Sequence, residues 1–153
     1  MAVSTITEII DADLQKVWNV VTSLDDFRWR SDLSDLKIIS EKEFVEYTKD
    51  GYATTFTITK TEPYKCWEFD MENENMTGHW KGIFTGIDEK TEISFTEDVT
   101  AKKLIMRPFV RFYLKKQQTR YVTDLKEILA KLATYEKMLD EVVATEELEE
   151  YLK

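Results

Sequence analysis

Between residues 43 and 101 the apolar side chains recur at every second position through five consecutive segments. The segments are separated by four short polar turns: Lys49-Asp50-Gly51, Glu62-Pro63, Asn73-Glu74-Asn75 and Asp88-Glu89-Lys90-Thr91. A period of two is the signature of strands, and turns this short join antiparallel neighbours. Counting outward from each turn on even-numbered hairpins predicts which residues face one another. Val45 and Tyr47 oppose Phe56 and Thr54, and Phe56 and Ile58 oppose Phe69 and Trp67. Trp67, Phe69 and Met71 oppose Trp80, Gly78 and Met76; Gly86, Phe84, Gly82 and Trp80 oppose Ile93, Phe95, Glu97 and Val99. One face then collects the large apolar groups. The other collects polar ones such as Thr57, Cys66, Glu68, Asp70 and His79, with Ile83 and Ile87 as misfits. A sheet that is apolar on one side only must be covered there by something else.

The covering element follows in the chain. From Pro108 the pattern turns helical, and at about 100° per residue Leu114, Gln118, Tyr121, Val122, Leu125, Ile128, Leu129 and Leu132 form one stripe. The spacing predicts a helix over about 108–135 lying across the sheet. Ahead of the meander, residues 2–10 read as a strand. Asp11 is a candidate cap for a helix carrying Leu14, Val17, Trp18, Val21 and Leu24, and a second short helix is expected over Asp25–Leu33.

Composition sets the outer bounds. A chain of 153 residues with 42% hydrophobic content, 4 Gly and 2 Pro can bury one core without disulfides. Its single cysteine excludes an internal disulfide, and no run approaches the ~20 apolar residues that span a bilayer. No segment resembles a secretion signal, so the expected location is the cytoplasm. The net charge of −9 argues against nucleic acid as a partner. That charge is uneven: residues 136–153 hold seven acidic side chains, whereas residues 99–123 hold seven basic and none acidic. Domain boundaries are therefore drawn at 1–135 for the folded domain and 136–153 for an acidic helical extension of it.

Val17-Trp18 in the first helix, Trp29 before the Leu-rich start of strand two, and Tyr121-x-x-Asp124-Leu125-Lys126 in the last helix resemble the SRPBCC (START-like) superfamily. Within it, the polyketide cyclase/dehydrase and lipid-transport group is the nearest likeness, over about residues 2–132. The resemblance implies an α+β helix-grip fold: a curved antiparallel sheet of about seven strands wrapped around a long C-terminal helix, with two short helices after strand one. It also implies a hydrophobic small molecule held between sheet and helix. Superfamily members include carriers, cyclases and chaperone-activating modules, so the likeness does not choose an activity.

The residues narrow the choice further. Tyr47, Thr54, Phe56, Ile58, Trp67, Phe69, Trp80, Phe84 and Phe95 are the expected ligand-binding surface of the sheet, roofed by Gln118 and Tyr121. Glu97 breaks the apolar face opposite Gly82. It is either a ligand anchor or general acid/base with a raised pKa, or a structural partner of Arg111 or Lys115, or a strand end reaching solvent. His79, the only histidine, falls on the polar face without a metal-ligand cluster, and Cys66 falls there too. No phosphate-binding loop, nucleophile elbow or zinc-protease motif is present, so no cofactor or metal is expected. Phe109, Phe112 and Tyr113, among Arg107, Arg111, Lys115 and Lys116, offer either an exposed membrane or protein contact or, after a helix bend or a fold-back of the acidic tail, a covered surface. The chain is expected to be a monomer or dimer. The leading expectation is non-catalytic binding or transport of an aromatic or lipidic molecule. Alternatives are a cyclase- or dehydratase-like enzyme using Glu97, and a protein-interaction module.

Overall fold

The computed structural model describes residues 1–152. Strand β1 (Ala2–Ile10) leads to helix α1 (Leu14–Thr22). Six further strands follow: β2 (Leu33–Ile38), β3 (Glu43–Thr48), β4 (Ala53–Glu62), β5 (Cys66–Glu72), β6 (Met76–Ile87) and β7 (Lys90–Ala101). A 3-10 turn (Leu104–Phe109) then feeds helix α2 (Val110–Leu152). All strands pair antiparallel in the order β1-β7-β6-β5-β4-β3-β2. This is the helix-grip arrangement. α1 starts at a cap whose identity differs from the expected one: the Asp13 carboxylate accepts from the Lys16 N–H at 2.9 Å, not Asp11. Residues 25–32 form bends and turns rather than a second short helix, and Leu33 already opens β2. There the Ser31 N–H donates to the Asp124 side chain instead of entering a helical ladder.

The apolar face is the expected one for β4 to β7. Phe56, Trp67, Phe69, Trp80, Phe84 and Phe95 are all buried on it, with Ile58 partly so. Ile83 and Ile87 lie exposed on the other face. The β5–β6 and β6–β7 pairings sit two residues away from the counted ones, which leaves the facing unchanged: Phe69 opposes Trp80, and Gly82 opposes Phe95. In β4–β5 a bulge between Ile58 and Lys60 compensates a three-residue turn. The β6–β7 ladder is unbroken at Gly82 and Gly86, although glycines inside strands often mark a bulge.

At the β3–β4 hairpin the parity fails. Tyr47 pairs with Ala53 across five residues, because Gly51 takes a left-handed backbone (φ +89°) and adds one position to the turn. Every β3 side chain therefore swaps faces. Phe44 and Glu46 point inward, whereas Val45 and Tyr47 do not. Phe44 stacks on Phe56 with ring centroids 4.8 Å apart.

α2 lays Leu114, Gln118, Val122, Leu125 and Leu129 on the sheet, with Tyr121 and Ile128 partly buried. Leu132 is already at the edge of the packed region, 37% exposed. From residue 130 onward the helix runs clear of the domain with every described residue exposed. The acidic tail thus continues α2 and does not fold back over the basic segment. An exposed ion pair between Lys16 and Glu136 ties its beginning to α1.

Candidate functional site: an apolar cavity with a charged inner wall

Between the sheet, the loop after α1 and the first turns of α2 lies a cavity of about 1010 Å³. Its floor is aromatic: Phe44, Phe56, Trp67, Phe69 and Trp80, extended by Met71 and Val99. The rings lock one another. Phe69 and Trp80 stack at 4.8 Å within 2° of parallel, and Trp67 meets Trp80 edge-on at 6.0 Å. Trp80 lies flat because Gly82 has no side chain. A Cβ at Gly82 would come within 2.4 Å of the indole. The room at Gly82 is therefore taken by Trp80 and is not part of the cavity.

The inner wall is charged, and the loop at 25–33 supplies it. Asp124, buried on α2, accepts from the Ser31 N–H at 2.8 Å and from its hydroxyl at 2.7 Å. This anchors the two preceding residues. Trp29 meets the Tyr121 ring edge-on at 5.3 Å, and the Arg30 guanidinium sits 4.9 Å from the centre of that same ring. Arg30 donates from Nε and Nη2 to Asp32 at 3.2 and 3.1 Å, and from Nη1 to Glu46 at 3.1 Å. Burial opposes its charge, but Glu46 and then Asp32 raise its pKa further above the ordinary range, so it stays a cation. Glu46 is pushed up by burial, and Arg30 only partly offsets this.

Glu97 faces the cavity from β7, across the ladder from Trp80 rather than Gly82. It retains some accessible surface, reached through the cavity, while protein surrounds its carboxyl elsewhere. Desolvation pushes it up to about 7; Arg30 pulls it down and Glu46 pushes it up. Neither Arg111 nor Lys115 pairs with it: the Lys115 ammonium donates to the Thr5 carbonyl at 2.7 Å. Among the described residues no hydrogen bond reaches the Glu97 side chain.

Of the expected ligand-binding residues, Thr54, Phe56, Trp67, Phe69, Trp80, Glu97 and Tyr121 come together on this cavity. Tyr47, Ile58, Phe84, Phe95 and Gln118 do not line it. Tyr47 is on the opposite face of β3, with the Lys37 ammonium 5.3 Å above its ring. Phe84 packs against Trp18 of α1 at 4.9 Å, and Phe95 is wedged between Trp80 and Tyr121; α1 fills that end of the concave space. Ile58 stays in the packed core. Gln118 is a clamp. It accepts from the Ser4 hydroxyl at 2.7 Å and donates to the Ser4 and Phe95 carbonyls at 2.8 and 3.3 Å, which leaves nothing for a ligand.

Sequence reasoning missed Phe44 and Glu46, which the Gly51 turn reverses, and Trp29, Arg30 and Asp32, which lie where no periodicity exists. The Asp124 of the Tyr121-x-x-Asp124 pattern was the available signal, since a carboxylate inside a helix stripe must have a partner.

The rim is basic and apolar. Met106, Phe109, Phe112 and Tyr113 stand at the opening with Lys103, Lys116 and Arg120. Phe109 and Phe112 are 63% and 78% exposed, so neither a helix bend nor the tail covers them. On the opposite face of the sheet, His79 lies between two carboxylates, Nδ1 to Asp70 at 2.7 Å and Nε2 to Glu68 at 2.9 Å. Burial lowers its pKa, but these two bonds raise it more. Cys66 shares that face yet is buried, with its thiol 3.6 Å from Glu68. Burial and that carboxylate push the thiol up. No helix among the described residues is long and apolar enough to cross a membrane.

Residues 1–135 match the family model for polyketide cyclase/dehydrase and lipid transport proteins, and the chain belongs to that family. No curated protein matches the chain by sequence. Solved structures match its fold. A START superfamily protein from Mycobacterium smegmatis superposes with a TM-score of 0.80 at 9% identity, covering 85% of this chain and 98% of that one. A conserved protein from Geobacillus kaustophilus gives 0.75 at 14% identity over 85% and 96%. The Zhui aromatase/cyclase from Streptomyces sp. R1128 gives 0.75 at 10% identity over 82% and 92%.

Proposed function

We propose that this member of the polyketide cyclase/dehydrase and lipid transport family is a non-catalytic binder or carrier, which holds a hydrophobic small molecule in the cavity between its sheet and α2. One observation carries the reading: a cavity of about 1010 Å³ whose aromatic floor is fully built, with polar groups gathered on its inner wall and rim and an opening to solvent. Small-molecule sites typically occupy roughly 300–1,000 Å³ and combine mostly apolar walls with a few placed polar groups. The glycine–tryptophan and stacked-ring contacts hold the floor rigid, so little side-chain ordering is left for the ligand to impose. A ligand enters past the rim formed by Met106, Phe109 and Tyr113.

Two measurements test it. Native mass spectrometry of the purified protein should detect a co-purifying small molecule or uptake of an added apolar dye. Val99→Phe, which extends a side chain from β7 into the cavity, should weaken dye binding about tenfold, equivalent to about 1.4 kcal/mol, with the circular dichroism spectrum unchanged. Unaltered dye affinity in the folded variant would place binding elsewhere and sink the reading.

A catalytic reading has one observation in its favour, a carboxyl at about 7 in an apolar cavity, the condition for general acid or base work near neutrality. Of the Tyr and Gln side chains expected to bind the ligand, Tyr47 lies outside the cavity and Gln118 is bonded to Ser4 and Phe95, which leaves Tyr121 with Glu97.

A further inference from the structure

We infer that the cavity takes a hydrophobic ligand bearing a basic amine, its ammonium seated at the inner wall beside Glu97, Glu46 and Asp32. The inference rests on the ligand-binding reading above and adds the ligand's chemical class. The inner wall has one cation and three carboxyl groups, Asp32, Glu46 and Glu97. Arg30 does not serve all three. Four of its five N–H groups go to Asp32 and Glu46 through Nε, Nη1 and Nη2, and one of its flat faces is covered by Tyr121. Glu97 feels Arg30 electrostatically but receives no hydrogen bond from it or from any other described residue.

The Glu97 carboxyl takes no donor from the protein and keeps its accessible surface towards the cavity, so a ligand that brings a donor takes the place of water there. An ammonium brings both what is missing, N–H donors for Glu97 and a positive charge against the carboxylate excess. An anionic ligand would be repelled by that excess at the inner end. It could only leave its charge at the basic rim, near Lys103, Lys116 and Arg120. The cavity is thus polar in a definite sense: acidic within, basic at the mouth.

The groups that interact with Glu97 are Arg30 from the loop, Glu46 from β3, and Tyr113 and Tyr121 from α2, with Trp80 across the ladder; Asp32 lines the same wall, bonded to Arg30. Burial favours the protonated forms of Glu97 and Glu46, so an ammonium ligand gains affinity as the pH rises and they ionise.

Three probes with one skeleton decide it: 1-naphthylmethylamine, 1-naphthylmethanol and 1-naphthylacetate, titrated calorimetrically into the full chain. At pH 8 the amine should bind about tenfold more tightly than the alcohol, with the carboxylate weakest. The amine's advantage should shrink towards pH 6. Glu97→Gln should bring the amine's affinity down to the alcohol's, and Glu147→Gln in the exposed tail should leave the amine's advantage intact, which excludes attraction to the acidic helix. A carboxylate bound as well as the amine, or an amine advantage that survives Glu97→Gln, overturns the inference. If the alcohol binds without any amine preference, only this inference falls. If none of the three binds, the ligand-binding reading falls with it.

Discussion

Replacing Glu97 by Gln should stabilise this protein above neutral pH, although it removes a group from the heart of the candidate site. A carboxyl that titrates ordinarily near 4.5 is held at about 7 in the fold. Between those values the folded chain keeps a proton that the unfolded chain has released. Stability therefore falls as the pH climbs. At roughly 1.4 kcal/mol per pH unit, the gap amounts to about 3 kcal/mol by pH 8. Water reaching the carboxyl through the cavity trims this to about 2–3 kcal/mol. Gln has nearly the shape of the protonated acid and does not titrate, so the two proteins should unfold alike near pH 4.5 and diverge steadily up to about pH 7.5. Urea denaturation at pH 5, 6, 7 and 8 and constant ionic strength measures the divergence. Glu46 is also raised and titrates in both proteins, so the difference between the curves reports Glu97 together with its coupling to Glu46. Parallel pH profiles, or a Gln variant that is the less stable at pH 8, would refute the argument that Glu97 is desolvated and unpaired.

Four further outcomes follow from named contacts. Gln118→Leu strands the Ser4 hydroxyl and two carbonyls between α2 and the sheet and should lower unfolding free energy by about 1–3 kcal/mol, while dye affinity, measured in native buffer, is retained. Gly82→Ala drives a methyl group into the Trp80 indole and should cost about 1–3 kcal/mol, with a shift in tryptophan emission as the displaced ring reports the change. The His79 imidazole, followed by NMR, should titrate above 6.5, and Asp70→Asn should lower its midpoint; the stability it contributes is present below 6.5 and is lost as the pH rises through its raised folded value. Removal of residues 136–153 should leave chemical stability within about 1 kcal/mol, because all the described side chains beyond Glu136 are exposed and the Lys16–Glu136 pair is a surface one.

Much of the fold could be read before any coordinates because the sheet is one-sided. Each of β4 to β7 carries its large apolar groups on alternate positions, and a register error of two residues, as occurs in β5–β6 and β6–β7, leaves every side chain on its correct face. An error of one does not. The β3–β4 turn shows how small the cause can be: one glycine with a positive φ makes the loop odd, and Phe44 and Glu46 exchange places with Val45 and Tyr47. The second short helix failed for a different reason. Residues 25–33 are organised by a long-range bond from Ser31 to Asp124, ninety-three positions away, and local pattern holds no trace of it.

The same distinction explains why the apolar half of the cavity was legible and the charged half was not. Phe56, Trp67, Phe69 and Trp80 were placed by strand periodicity, and Tyr121 by helical periodicity. Arg30, Asp32 and Glu46 belong to no period that survives folding: two are in an irregular loop and one is on the strand whose facing is reversed. Yet Arg30 and Glu46 act on Glu97 electrostatically, after its own desolvation. Without Arg30 nothing in the inner wall would hold a carboxylate, and with Arg30 bonded to Asp32 and Glu46, Glu97 has its field but none of its hydrogen bonds. Arg30→Met therefore gives the sharpest separation between scaffold and site. Breaking a buried ion cluster by removing its cation typically destabilises by about 3–5 kcal/mol. That loss should ease as the pH falls from 7.5 to 5, because Glu46 and Glu97, deprived of the guanidinium, would titrate at still higher pH and bind their protons sooner on acidification. Denaturation of the variant at the two pH values reads this directly. A deficit that is the same at both would mean that Arg30 stabilises the loop by packing on Tyr121 alone, and that the acidic inner wall does not govern the cavity.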